Sequence, residues 1–163
     1  MLMDRLAQTT LKNQRKGAIG YMIKTYVIDT NVLIQAPYAI ECFEENNLVL
    51  PLVVLEELDG LKKAEGEKGA NARAAVRKLE SYRQKGDLLQ GVKLPGGGIL
   101  RIEKNFVQVE LPQDIPDDKP DNRILKVCKG LAETEKEGQV ILVTKDIVLR
   151  LKAQILGIRA EDF

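Results

Sequence analysis

The sequence contains no histidine, and this absence excludes several kinds of catalytic chemistry. Without an imidazole, the chain cannot build a Ser-His-Asp triad or a Cys-His pair within itself. The usual histidine-based zinc sites are excluded for the same reason. Carboxylates are plentiful, with 24 Asp and Glu residues, and carboxylate oxygens suit hard ions such as Mg²⁺ and Mn²⁺.

Cysteines, aromatic residues and long apolar runs are also scarce. The two cysteines, Cys42 and Cys128, give neither a disulfide framework nor a metal-knuckle spacing, so we expect a reduced, cytoplasmic protein. No apolar run reaches the ~18 residues that a membrane span needs, and no secretory signal is evident, so no membrane association is expected. Aromatic residues make up 4% of the chain, which leaves no evident platform for stacking bases.

The chain has 163 residues, the length of one ordinary domain. Residues 1–24 are polar and basic, and we interpret them as an N-terminal extension, helical or disordered, ahead of a folded domain at 25–163. Apolar runs predict strands at 25–28, 48–53 and 140–143. Helices are predicted at about 37–45, 54–65, 70–85, 121–136 and 147–156, and further strands at 107–111 and 158–160.

A β-hairpin insertion is predicted at 92–102, around the turn Pro95-Gly96-Gly97-Gly98. The alternation of strands and helices predicts an α/β fold, a three-layer sandwich around a central, mostly parallel sheet. In such sheets ligands bind outside the carboxyl ends of the strands. Asp29 and the segment 144–146 fall at such ends.

Four acidic residues stand near predicted sheet edges and helix starts: Asp29, Glu57, Asp121 and Asp146. Each has an ordinary structural explanation, because aspartate caps helices well and glutamate is common on helix surfaces. Helical phase separates two neighbours, since Glu57 lies at the border of the apolar stripe of its helix whereas Glu56 points to solvent. Asp118 is the nearest rival of Asp121.

Carboxylates that pack closely repel one another, and some of them take up protons. A divalent ion removes that repulsion, and two such ions about 4 Å apart activate water and stabilise the leaving oxygen of a phosphodiester. This chemistry needs neither histidine nor a cysteine nucleophile, so it fits the composition of the chain.

Four short motifs resemble, in order, the acidic motifs of PIN-domain nucleases. They are Val27-Ile28-Asp29-Thr30-Asn31-Val32, Leu55-Glu56-Glu57-Leu58, Asp121-Asn122-Arg123-Ile124-Leu125 and Leu142-Val143-Thr144-Lys145-Asp146. The resemblance covers residues 24–163 and implies a PIN-like fold with a divalent-metal-dependent endoribonuclease that acts on single-stranded RNA. It implies that the catalytic acids, which also hold Mg²⁺ or Mn²⁺, are Asp29, Glu57, Asp121 and Asp146, with support from Thr30, Asn31 and Thr144.

A narrower resemblance is to the N-terminal PIN domain of bacterial PhoH-like proteins, in which an RNA helicase-like ATPase follows. It is carried by Leu58-Asp59-Gly60-Leu61-Lys62-Lys63, by the hairpin at 92–102 and by Leu149-Arg150-Leu151-Lys152-Ala153. The chain has no Gly-x-x-x-x-Gly-Lys-Ser/Thr loop. The resemblance therefore implies the PIN portion of a longer protein with a covalently linked ATPase. The oligomeric state stays open, a homo-oligomer included.

Basic residues concentrate in the two helices that follow Glu57, and we select Lys62, Lys63, Arg73 and Arg77 as candidates for nucleic-acid binding. Such a surface would hold a strand through its phosphates without reading the sequence. The alternative is a solvated face, because glutamates are interspersed among these residues.

Two other classes of function stay open. One is an acid-cluster phosphatase or a phosphoacceptor domain. The phosphatase pattern has an aspartate where this chain has Asn31, and the phosphoacceptor pattern separates the Thr and Lys that are adjacent here as Thr144 and Lys145. The other class is a non-catalytic RNA-binding or scaffold domain, against which the intact set of four acids argues.

Overall fold

The computed structural model describes residues 22–134 and 139–163, which form a six-stranded sheet and its covering helices. The strands are β1 (Thr25–Ile28), β2 (Asn47–Pro51), β3 (Val92–Lys93), β4 (Ile99–Glu103), β5 (Val140–Val143) and β6 (Arg159–Glu161). The helices are α1 (Thr30–Gln35), α2 (Leu52–Leu61), α3 (Gly66–Arg83), α4 (Pro120–Thr134) and α5 (Ile147–Ile155), with a 3-10 turn at Pro37–Glu41.

The strands lie in the order β3-β4-β2-β1-β5-β6, and all neighbours are parallel except β3, which is antiparallel to β4. Every residue of β1 and of β5 is buried. Successive residues of a strand point to opposite faces, so both faces of the sheet are covered and the sandwich has three layers. This confirms the predicted fold class. The five parallel strands end at one edge of the sheet.

The predicted hairpin is present at Val92–Lys93 and Ile99–Glu103, and it belongs to the central sheet because its second strand pairs in parallel with β2. No helix of the described ranges is long and apolar enough to cross a membrane. Of the predicted extension 1–24, residues 1–21 lie outside the described residues, and residues 22–24 carry no regular structure.

The predicted helix at 37–45 is wrong in kind and position. The helix after β1 begins at once, at Thr30, and buries Val32, Leu33 and Ile34. A short 3-10 turn then follows at Pro37–Glu41. The β-branched run after Asp29 gives little helical signal, and burial against the sheet overrides that propensity.

The strand predicted at 107–111 is also wrong, although Val107, Val109 and Leu111 alternate with polar residues as a strand would. The segment is a loop fastened to α4 by two lysines. Lys126 donates to the carbonyl of Val107 over 3.4 Å, and Lys129 donates to that of Glu110 over 2.7 Å. Side-chain amines, rather than a neighbouring strand, therefore satisfy these backbone carbonyls.

Two helical glycines offer a matched test of packing. A Cβ at Gly130 in α4 would overlap the ring of Phe106, whereas a Cβ at Gly60 in α2 would meet nothing within 4 Å. We expect Gly130→Ala to lower the free energy of unfolding by roughly 1–3 kcal/mol through overpacking. Gly60→Ala should raise it by about 0.5–1 kcal/mol through helix propensity. Urea unfolding measures both, and a stabilised Gly130→Ala protein would contradict the packing described.

Candidate active site

Asp29 lies at the carboxyl end of β1, in the centre of the sheet edge. Its backbone N–H extends the strand ladder by donating to the carbonyl of Val143 over 3.0 Å. The residue is only 2% exposed. Burial raises the pKa of Asp29 to about 6, against the lowering effect of a hydrogen bond from Thr144 and with additional raising by the charges of Asp121 and Glu57. The fold thus holds this carboxyl where ionisation is costly.

The Thr144 hydroxyl links Asp29 to Asp146. It donates to Asp29 Oδ2 over 2.7 Å and accepts the backbone N–H of Asp146 over 3.0 Å. Asp146 is also the N-cap of α5, since its Oδ1 accepts the N–H groups of Val148 at 2.8 Å and Leu149 at 3.4 Å. Asp146 therefore does cap a helix, as its sequence position suggested, but only through Oδ1. Its other carboxylate oxygen, Oδ2, stays available for another role.

Glu57 comes from α2, and the helical phase expected from the sequence is confirmed: Glu57 is half-buried, whereas Glu56 is exposed. Its Oε1 accepts the hydroxyl of Thr30 over 2.8 Å. Burial raises the pKa of Glu57, the hydrogen bond from Thr30 opposes this, and the charge of Asp121 raises it further. Thr30 thus holds Glu57 towards the cluster without neutralising it.

Asp121 stands in the first turn of α4 and is half-buried. Its charge raises the pKa values of both Asp29 and Glu57, which places it within electrostatic reach of the two. The neighbouring acids behave differently, because Asp118 is exposed and Asp117 pairs with Lys126 at 2.8 Å. The structure therefore brings Asp121, rather than Asp118, to the other acids.

The donor set suits a hard divalent cation. It consists of the carboxylate oxygens of Asp29, Glu57, Asp121 and Asp146. Burial is the main cause of the raised pKa values of Asp29 and Glu57, and the charge of Asp121 raises both further. Over residues 22–134 and 139–163, no three acidic or thiol side chains already stand in a ligating arrangement. The acids thus fit such an ion by the chemistry of their oxygens and by their charge.

Two site-related residues were missed by sequence reasoning, Asn122 and Lys152. Asn122 is fully buried beside Asp121, and its Nδ2 donates to the carbonyl of Pro116 over 2.6 Å. Its Oδ1 accepts Lys152 Nζ over 2.9 Å, which ties α4 to α5. This link fixes the first turn of α4 relative to the helix that Asp146 caps. In the sequence, Asn122 shows only as a polar residue within the third acidic motif.

The structure does not bring Asn31 into the hydrogen-bonded group around Asp29. Its side chain is exposed and lines a groove of about 360 Å³ between α1 and α3. The other residues of that groove are Ile34, Gln35, Glu67, Lys68 and Asn71.

The predicted basic surface is partly occupied by structural contacts. Arg73 Nη1 donates to the carbonyls of Lys62 at 2.7 Å and Ala64 at 3.3 Å, so it closes the end of α2. Lys62 pairs with Asp59 at 2.7 Å. Lys63 and Arg77 are exposed, which leaves them as the members of the set best placed to meet a ligand.

A family model described as PIN domain matches residues 26–163. The chain belongs to the PIN domain family. PIN domains are generally nucleases and typically depend on divalent metal, so this chain carries a nuclease-type domain of the hydrolase class. The resemblance drawn from the four acidic motifs is therefore confirmed at the level of the family.

Curated relatives of this PIN domain are PhoH2 proteins, in agreement with the narrower resemblance. Protein PhoH2 of Bacillus subtilis is 50% identical over 147 residues, which cover 87% of this chain and 33% of that protein. Protein PhoH2 of Mycolicibacterium smegmatis is 40% identical over 144 residues, which cover 86% of this chain and 32% of that protein. The chain thus spans about a third of the length of the curated relatives it matches.

One solved structure shows the same fold. A domain of a functionally unknown protein from Methanocaldococcus jannaschii aligns with a TM-score of 0.51 at 21% identity, covering 86% of this chain and 91% of that one. The PIN domain of human SMG5 aligns with a TM-score of 0.47 at 18% identity, covering 85% and 91%.

We expect Asp29→Asn to stabilise the metal-free PIN domain above pH 6. Below about pH 4 the carboxyl is protonated in both states, so it contributes nothing. Between about pH 4 and 6 the unfolded chain loses the proton while the folded chain keeps it, which progressively favours unfolding. Above pH 6 the full penalty applies, about 3 kcal/mol for the raised pKa.

Urea unfolding in chelator at pH 4 and pH 7 measures this effect. The advantage of Asp29→Asn should grow from near zero to about 2–3 kcal/mol. Asp118→Asn, at an exposed position, is the matched control and should show no such growth. A wild-type chain as stable as Asp29→Asn at pH 7 would contradict the assigned pKa.

Proposed function

We propose that this chain is a metal-dependent endoribonuclease domain that hydrolyses phosphodiester bonds of single-stranded RNA. The observation that carries the proposal is the electrostatic convergence of Asp29, Glu57 and Asp121 from three elements at the carboxyl edge of the sheet. The side-chain partners of Asp29 and Glu57 are the neutral hydroxyls of Thr144 and Thr30, which leave the carboxylate charges in place. Such uncompensated negative charge favours a bound cation.

The proposed ligands of Mg²⁺ or Mn²⁺ are Asp29, Glu57, Asp121 and Asp146. When bound, such an ion supplies an activated water and charge stabilisation for the leaving oxygen. Thr144 fixes the rotamer of Asp29, and Thr30 fixes that of Glu57. Asp146 contributes the oxygen that does not cap α5. Asp29, Glu57 and Asp146 are thus oriented before substrate arrives, which favours catalysis over simple ion storage.

A nucleic-acid substrate is supported by the exposed cations on α3 and at the end of α2, and RNA in particular is what the family resemblance implies. Arg77 and Lys63 are exposed, so they are able to contact phosphates. Lys62 and Arg73 would contribute less to binding, because their own side chains already contact Asp59 and the carbonyls at the end of α2. A linked ATPase is supported by the PhoH2 relatives, of which this chain covers about a third.

Cleavage of labelled single-stranded RNA in Mn²⁺ or Mg²⁺ tests the proposal, with DNA and phosphomonoester substrates as controls. Asp29→Asn and Asp121→Asn should each lower the rate by about 100-fold or more, because metal ligation supplies several kcal/mol of transition-state stabilisation. Asp118→Asn should leave the rate within about twofold, since its side chain is exposed and outside the cluster. Full activity of Asp29→Asn would falsify the metal-site assignment.

Metal binding has a readout that needs no catalysis. Mn²⁺ at a hundredfold excess over its Kd should raise the free energy of unfolding by about 2.7 kcal/mol. The gain should be lost in Asp29→Asn and in Glu57→Gln, whereas Glu56→Gln, exposed on the same helix, should retain it. Equal gains in Glu57→Gln and Glu56→Gln would exclude Glu57 as a ligand.

A further inference from the structure

A groove next to the acid cluster has no role in the chemistry described so far. It has a volume of about 420 Å³ and is lined by Leu52, Glu103, Lys104, Asn105, Phe106, Val107 and Gln108. Sites for small molecules typically enclose roughly 300–1,000 Å³. The groove is thus large enough for one planar heterocycle.

The strand register places this groove level with Asp29. Val27 pairs with Val49, so Asp29 stands level with Pro51, which in turn pairs with Glu103. Neighbouring strands lie about 4.8 Å apart, so the two strand spacings from β1 to β4 amount to roughly 10 Å along the sheet edge. The helix that begins at Leu52 also carries Glu57. A strand whose phosphate met the acids would therefore have a neighbouring nucleotide within reach of the groove.

The walls of the groove suit the faces of a base. Val107 is 81% exposed and Leu52 39%, so the loop and the start of α2 present apolar surface to solvent. Phe106 lines the groove while its ring packs on Gly130, and its backbone takes a left-handed φ of 48°. Strained residues of this kind concentrate at binding sites.

The rim of the groove suits the edge and the phosphate of a nucleotide. Lys104 offers a cation, and Gln108 offers an amide that both donates and accepts. The carboxylate of Glu103 is paired with Arg101 at 3.4 Å, which offsets its charge. Asn105 anchors the loop, because its Oδ1 accepts the N–H of Val53 at the start of α2 over 3.2 Å.

We propose that this groove binds an unstacked base of the RNA strand, a nucleotide or two away from the phosphate held at the acids. The proposal rests on the proposed nuclease function and adds a base-binding subsite to it. Single-stranded RNA is recognised in general by bases splayed onto apolar and aromatic side chains, with polar groups at their edges. The groove beside Asn31 offers one aliphatic side chain, Ile34, and lacks such walls.

The test removes one base at a time from a short single-stranded RNA and measures binding by fluorescence anisotropy. The chain is otherwise wild type and is loaded with Mn²⁺, and the strand carries non-hydrolysable phosphate analogues so that it stays intact while the acids keep their ion. Loss of one particular base should weaken binding roughly 5- to 100-fold, the range for a stacked base. With Val107→Ser or Leu52→Ser added, the same base removal should change affinity less than about twofold. Ile155→Ser, at another exposed aliphatic position, is the matched control and should keep the full effect.

Equal penalties for base removal with and without Val107→Ser would overturn the proposal. So would a strand that binds equally well whichever base is removed, and so would a strand that does not bind at all. The cleavage assay of the wild-type chain separates the two levels. If the chain cleaves RNA but the base effect does not depend on the groove, only the proposed subsite is refuted. If the chain does not cleave RNA, the proposed nuclease function is refuted as well. Circular dichroism of each variant checks that the fold is retained, as expected for exposed positions.

Discussion

The mutual repulsion of Asp29, Glu57 and Asp121 is the constraint that the rest of this edge of the molecule has to satisfy. Elsewhere in the described residues several acids are paired with bases, as Glu41 is with Lys78 and Asp117 with Lys126. At the cluster, the partners of Asp29 and Glu57 are the neutral hydroxyls of Thr144 and Thr30. A hydroxyl fixes the position of a carboxylate but leaves its charge in place. The fold thereby keeps a negative potential that an ammonium or guanidinium group would have cancelled, and this is the condition for holding a divalent cation.

Keeping such charges close requires a rigid framework, because each acid would move apart if its element were free. Asp29 is fixed by the strand ladder to β5, and Asp146 by its cap on α5. Asp121 lies at the end of a long loop and has no strand to hold it. Its position depends on Asn122, whose buried amide bonds both the loop at Pro116 and Lys152 on α5. A buried amide with both ends satisfied is a stiff connector, since breaking either bond leaves a polar group unpaired.

Features set by local pattern were predictable from the sequence, and features set by distant contacts were not. The apolar runs of β1 and β5 and the helical phase that separates Glu57 from Glu56 depend on neighbours within a few positions, and the structure agrees with them. The loop at 107–111 alternates as a strand does, yet lysines about 19 residues further on take its carbonyls. The charge of Arg73 predicted a phosphate ligand. Only the fold shows that its guanidinium instead donates to a backbone carbonyl at the end of α2. The identity of Asp121 among three nearby acids came from the family pattern, and its electrostatic reach to Asp29 needed the structure.

A metal-free cluster of this charge repels phosphate, so affinity for an RNA strand has to come from groups outside it. Two such groups are the exposed cations Lys63 and Arg77 and the apolar groove at Leu52 and Val107. They would act by different physics, because phosphate contacts weaken as salt rises whereas base burial is much less sensitive to it. If both hold the strand, substrate binding and bond cleavage are assigned to separate residues. Changes to the loop at 104–108 would then alter which nucleotide is seated without altering the acids proposed as metal ligands.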